Sequence, residues 1–211
     1  MSKTPSAREA LQRLRDGNLR FANNCRQADK LLTHQQRAAL AVQQTPCAIV
    51  IGCSDSRVPA EIVFDQGLGD LFVIRVAGNI VAPSQVGSVE FAVSRYHTRL
   101  VVVLGHSCCG AVTATIETLL DGGGSESCNI DSIVRRVKPA VEGFLDTELR
   151  HDRDALHRAA VRANVRASAD HLRHGSAIIE SLIERDGLLV VGAEYALETG
   201  LVDFFDGVPT D

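Results

Sequence analysis

Two short stretches hold most of the residues with chemistry to offer. Residues 105–112 read GHSCCGAV, and residues 53–57 read CSDSR. His106 and Cys109 are three apart, a spacing that a turn or helix start brings onto one side, while Cys108 faces elsewhere. Imidazole and thiolate together suit zinc, a borderline-soft ion. Two such residues alone are equally compatible with a purely structural role. Cys53 from the other stretch would supply a third ligand, leaving a tetrahedral zinc one open position, as catalytic sites do. Water could fill that position, or Asp55, two residues beyond Cys53. Arg57 can grip the Asp55 carboxylate with paired hydrogen bonds. An aspartate so held can accept a proton from zinc-bound water and orient it.

Other uses of these cysteines fit less well. A phosphate-cradling cysteine loop carries its arginine further from the nucleophile than Arg57 stands from Cys53, and Asp55 between them would repel phosphate. A vicinal Cys108–Cys109 disulfide would strain a tight turn, and no C-x-x-C pair is present.

The ligand-bearing stretches follow apolar runs. Four such runs occur, at 47–52 (CAIVIG), 71–77 (LFVIRVA), 100–105 (LVVVLG) and 188–193 (LLVVGA). They read as strands buried on both faces of a parallel sheet. Helical patterning lies over 6–24, 33–43, 84–97, 110–120, 130–145 and 154–185, the last broken near Gly175. Cys53 ends the first strand and His106 follows the third, where open α/β sheets line their binding crevice. For both to reach one metal, strands one and three must be neighbours. That pushes strand two outward and predicts the core order 2-1-3-4. The expected fold class is therefore α/β, a central mostly parallel sheet flanked by helices. It forms one domain over 1–211, with 1–44 as an N-terminal helical arm. DGGGSES at 121–127 reads as a surface loop. Arg158, Arg162 and Arg166, spaced by four, form a basic ridge expected to be a solvated face.

A chain of 211 residues that is 45% hydrophobic and 23% charged can bury one sizeable core. A net charge of −4 and a pI of about 6.0 argue against a nucleic-acid partner. The apolar runs are too short to cross a bilayer, which argues against a membrane partner. The N-terminal MSKTPSAREALQRLRDGNLRF lacks the apolar middle of a signal peptide, so a cytoplasmic location is expected. In that reducing compartment the six cysteines (25, 47, 53, 108, 109, 128) are ligands, nucleophiles or small apolar residues rather than disulfides.

With these motifs in place, the sequence resembles the β-class carbonic anhydrases. C-S-D-S-R at 53–57 and H-x-x-C at 106–109 carry the resemblance. VPAE (58–61), GDLFVIRVAGN (69–79), SVEFAV (88–93) and GAEYAL (192–197) extend it over most of 44–197. It implies zinc on Cys53, His106 and Cys109, and Asp55 with Arg57 as the catalytic pair. It also implies Gln44 against bound bicarbonate, and Phe72 and Phe91 as walls of a narrow substrate pocket. Plant relatives carry tyrosine where this chain has Phe91, so that hydroxyl is missing here. Family members form dimers and larger oligomers with pockets at the dimer interface. A homodimer or homotetramer follows for this chain, with the N-terminal arm wrapped around a partner subunit.

The reaction implied is the zinc-dependent, reversible hydration of carbon dioxide to bicarbonate and a proton, with zinc-bound hydroxide as nucleophile. Two thiolates donate more charge to the metal than imidazoles would, so activity is expected to rise toward alkaline pH. No histidine stands out as a proton shuttle: His97, His151, His157, His171 and His174 read as surface or helix residues. Two rivals use the same residues. One is hydrolysis of carbonyl sulfide or carbon disulfide; the other is a non-catalytic, zinc-stabilised assembly protein, against which the intact Asp55–Arg57 pair counts. Some bacterial relatives also bind bicarbonate at a Trp–Arg–Tyr cluster and close, with the aspartate becoming the fourth zinc ligand. Arg75 and Tyr195 occupy two of those positions, but the tryptophan position is Val50. The implied enzyme stays open at neutral pH and above, with Asp55 held by Arg57; at low pH Asp55 could still reach the zinc.

Overall fold

A computed structural model describes residues 4–27, 34–122 and 127–210. Among them, β1 (Ala48–Gly52), β2 (Leu71–Arg75), β3 (Leu100–His106), β4 (Leu189–Tyr195) and β5 (Val202–Asp206) form one sheet, in the order β2-β1-β3-β4-β5. The first four pair in parallel, in the order the sequence predicts. β5 is an addition, antiparallel to β4 at the sheet edge. Its sequence, VDFFD, is acidic and only half-buried, so it lacks the continuous apolar run that marks the other four.

The strands alternate between two apolar layers. Ile49, Ile51, Val101 and Val103 face α4 (Pro83–Arg95), α7 (Arg153–His174) and α8 (Ala177–Arg185) through Val89, Ala92, Val93, Val165, Leu172 and Ile179. Val50, Val102 and Leu104 face the other way, onto α1 (Ala7–Ala22) and the short α3 (Ala60–Val63). Period-two burial of this kind fixes register, because a one-residue slip would exchange both layers. Burying the strands on both faces is what makes them read as unbroken apolar runs.

The first helix does not stand away as an arm. A capping box of Ser6 and Glu9 starts α1, and Ala7, Ala10, Leu11 and Leu14 are buried with the β1 and β3 side chains. Gly17 permits the close approach: a Cβ there would lie 1.9 Å from the Phe64 carbonyl oxygen. Asn18 donates to Val63 O and Gly200 O and accepts from Val202 N–H, while Arg20 pairs with the buried Asp65. This helix is docked on its own domain. Residues 28–33 lie outside the described residues, and α2 (His34–Val42) follows them.

Two other expectations shift. The helix expected over 130–145 is α6 (Cys128–Val141), followed by a 3-10 turn at Glu142–Asp146. Pro139 removes a backbone donor in its last turn and Gly143 weakens any continuation. The helix expected over 154–185 with a break near Gly175 is α7 and α8, divided at Gly175, and the Ser176 side chain caps α8 by accepting from Ile179 N–H. Of the expected loop at 121–127, residues 123–126 lie outside the described residues. The basic ridge, finally, is a solvated face only in part: Arg158 and Arg166 are exposed, but Arg162 is half-buried. Arg162 binds Glu194 and Asp203 and lies 3.7 Å from the Phe205 ring centroid, and Arg166 lies 4.9 Å from the same ring. These arginines clamp β5 to α7.

Candidate metal centre and active site

Cys53 lies one residue past the end of β1, and His106 is the last residue of β3. The register Gly52↔Leu104 sets these carboxyl ends side by side. Gly105 allows α7 to lie across them, since a Cβ there would be 2.5 Å from Val165 Cγ2. Cys108 then turns the chain with φ of +56°, and Cys109 caps α5 (Gly110–Asp121). The ligand atoms of Cys53, His106 and Cys109 lie within 4.8 Å of one another, and all three residues are buried. Cys108 is exposed.

The donor chemistry of this cluster fits a metal ion. His106 Nδ1 is 2.8 Å from Ser107 O and must donate to it, so Nε2 carries the lone pair. That nitrogen is buried and has no hydrogen-bond partner, a costly state for a polar atom unless a cation accepts the pair. The Cys53 thiol is pulled below its ordinary value by its hydrogen bond with Cys109, with the Gly78 N–H also pointing at its sulfur from 3.3 Å. The shared proton stays on Cys109, whose thiol is pushed up by that same bond and by burial. Gly78 itself takes φ of +69°, and its carbonyl accepts from Asn164 of α7 at 2.8 Å.

Beside the cluster stands a pre-formed ion pair. Arg57 Nε donates to Asp55 Oδ1 at 2.9 Å and Nη2 to Oδ2 at 2.7 Å, and the Arg57 N–H also donates to Oδ1. This guanidinium holds the Asp55 carboxyl well below the usual carboxylate range. Oδ2 is 4.0 Å from His106 Nε2, so the carboxylate borders the space that the three ligand atoms face. Arg75 secures the loop from below, donating to Cys53 O at 3.1 Å and Asp55 O at 2.6 Å. The sequence places Arg75 only in an effector cluster; its bracing role depends on the register Gly52↔Arg75.

Gln44, Phe72 and Phe91 do gather, but not at this centre. Phe72 and Phe91 have ring centroids 6.3 Å apart, and both pack on Tyr96, at 6.0 and 5.8 Å. Gln44 Nε2 donates to the Tyr96 hydroxyl at 2.9 Å. This cluster lies at the opposite end of the strands. Four strand residues, about 13 Å, separate Cys53 from Ile49, the register partner of Phe72. Tyr96, five residues beyond Phe91, supplies a hydroxyl to the cluster that a comparison of position 91 alone misses.

Known proteins share this sequence pattern and fold. The sequence profile of carbonic anhydrases matches residues 48–202. Carbonic anhydrase 2 of Mycobacterium tuberculosis is 39% identical over 197 residues, covering 90% of this chain and 89% of its own. The crystal structure of the β-carbonic anhydrase CafA of Aspergillus fumigatus superposes with a TM-score of 0.72 at 29% identity, over 83% of each chain. One of two tetrameric β-carbonic anhydrases from Sordaria macrospora gives 0.72 at 27% identity, over 84% of this chain and 90% of its own. With a profile spanning its four parallel strands and a relative matched over nearly its whole length, the chain belongs to the β-carbonic anhydrase family.

Proposed function

We propose that the chain carries out its family's reaction, the reversible hydration of carbon dioxide to bicarbonate and a proton, on a zinc ion held by Cys53, His106 and Cys109. The observation that carries the zinc reading is the buried, unpartnered His106 Nε2 facing two thiols within 4.8 Å. Zinc with three protein ligands and one open position lowers the pKa of its water and so supplies hydroxide near neutral pH. Asp55 is the hydrogen-bond acceptor and orienting group at that position. Arg57 occupies both of its oxygens from one side, which leaves the remaining lone pair of Oδ2 for the reacting water. It also keeps Asp55 ionised, so the carboxylate accepts hydrogen bonds from the nucleophile rather than donating one.

The substrate pocket is completed by a second copy of the chain. Phe72, Phe91 and Gln44 lie too far from their own metal centre to wall it. Phe91 is 54% exposed, and Val42 and Leu68 are more so, at 89% and 64%. In a symmetric assembly this apolar end covers the partner's Asp55 side and excludes water around carbon dioxide. The tetrameric relative is consistent with such self-association. All six cysteines are free, which suits a reducing, cytoplasmic setting. No helix among the described residues is long and apolar enough to cross a membrane.

Stopped-flow carbon dioxide hydration by the purified protein, with zinc measured on the same sample, tests this reading. Turnover that disappears on chelation and returns with zinc supports it. A zinc-loaded chain without hydration activity would refute it.

A further inference from the structure

Only Ser107 and Cys108 separate the ligands His106 and Cys109, and Cys108 sits in the left-handed region with φ of +56°. A non-glycine residue persists there only where its surroundings fix it. The Ser107 N–H donates to Tyr195 O at 3.0 Å. The Ser107 hydroxyl accepts from Leu197 N–H at 2.9 Å and donates to Glu198 Oε2 at 3.0 Å, so its proton has one direction to point. Glu198 Oε1 takes the Cys108 thiol at 3.8 Å. Both carboxylate oxygens of Glu198 thus act on this two-residue turn. The turn in turn presents Cys108 O, which accepts from Arg57 Nη2 at 3.3 Å. That same Nη2 holds Asp55 Oδ2.

We propose that Glu198 is a positioning residue for the reaction: it fixes the Ser107–Cys108 turn, the turn fixes Arg57, and Arg57 fixes Asp55. The inference rests on reading Asp55 and Arg57 as the catalytic pair. Glu198 is exposed, touches none of the three ligands, and lies in the turn between β4 and β5. Its contribution is therefore separable from metal binding and from the core. Without the carboxylate, the Ser107 hydroxyl and the Cys108 thiol lose their common acceptor, and the strained turn can relax. Cys108 O then leaves Arg57, and the guanidinium is free to swing with its aspartate.

The test is a double-mutant cycle on zinc-loaded protein. Glu198→Ala is expected to keep one zinc per chain and its KM while kcat falls about fivefold to tenfold. Glu198→Gln keeps an oxygen for Ser107 and is expected to recover most of that loss. In an Arg57→Ala background, Glu198→Ala is expected to cost nothing further. An equal loss in both backgrounds, wild-type kcat in Glu198→Ala, or loss of zinc from it would each overturn the proposal. Wild-type turnover in Arg57→Ala alone would instead remove the catalytic-pair reading beneath it.

Discussion

Asp55 Oδ2 stands 4.0 Å from His106 Nε2 while Arg57 holds the same carboxylate by two parallel hydrogen bonds. A carboxylate bordering the ligand atoms of Cys53, His106 and Cys109 is thus held in place by its neighbour. Asp55→Asn removes the ionised hydrogen-bond acceptor, and Arg57→Ala frees the carboxylate to occupy the open position. Each is expected to lower carbon dioxide turnover by roughly 10²-fold or more with zinc retained. Wild-type turnover in both variants would exclude the pair from catalysis.

The two adjacent cysteines separate cleanly. Cys109 is buried against Cys53, whereas Cys108 is exposed on the turn. Zinc analysis is expected to give about one ion per chain, most of it lost in Cys109→Ser and retained in Cys108→Ser. Equal loss in the two variants would mean that the wrong thiol has been assigned.

Metal binding is linked to pH through the same thiols. Cys53 is depressed and Cys109 raised, so at neutral pH the metal-free pair keeps a proton on Cys109. Zinc needs both sulfurs as thiolates, so loading releases at least about one proton per site. Affinity therefore rises with pH, the sign expected when the free site binds more protons than the loaded one. Calorimetric zinc titration in buffers of different ionisation enthalpy measures that number. A release near zero at pH 7 would contradict the proton placement.

Much of this was legible in the sequence, for physical reasons. Strands buried on both faces advertise themselves as β-branched runs, and requiring one metal to touch Cys53 and His106 is enough to order β2, β1 and β3. What was hidden depends on register and on long-range contacts. The pairing Gly52↔Arg75 turns a presumed effector residue into a brace for Cys53 O and Asp55 O. Glu198 reaches Ser107 across 91 residues. β5 is held by Arg162, Arg166 and Arg173 as well as by Val202, Phe204 and Phe205, but its alternating acidic residues break the apolar run, so hydrophobic patterning passes over it.

The distance between the aromatic cluster and the metal ligands can be tested by complementation. A Cys109→Ser chain keeps its pocket residues but loses zinc; a chain carrying Gln44→Ala and Phe72→Ala keeps zinc but loses its pocket. Co-expressed and purified together, they are expected to show about a quarter of the wild-type sites, as random pairing in a symmetric dimer requires. Each alone should show little activity. A mixture no better than the mean of its parents would indicate that each chain walls its own metal.

Regulation by bicarbonate is the last point on which the residues commit. A cluster that senses the anion needs a donor and a packing wall at position 50, and Val50 provides neither. It is completely buried in the layer that also holds Tyr195, so no space opens there for a ligand. Arg75, which would bind the anion, already spends its guanidinium on Cys53 O and Asp55 O. An effector shifts an equilibrium only by its differential affinity for the two states, and these residues supply little. Protons act differently. Because Arg57 depresses the Asp55 pKa, the pair is fully formed above the ordinary carboxylate pKa of about 4 and is lost only as pH falls through the lower folded value. The open arrangement is therefore expected throughout the neutral and alkaline range. Initial rates against bicarbonate at fixed pH should be hyperbolic, and a crystal structure of the zinc-loaded protein at pH 8 should keep Asp55 on Arg57. Sigmoidal bicarbonate kinetics, or Asp55 bound to zinc in that crystal, would overturn the argument from Val50.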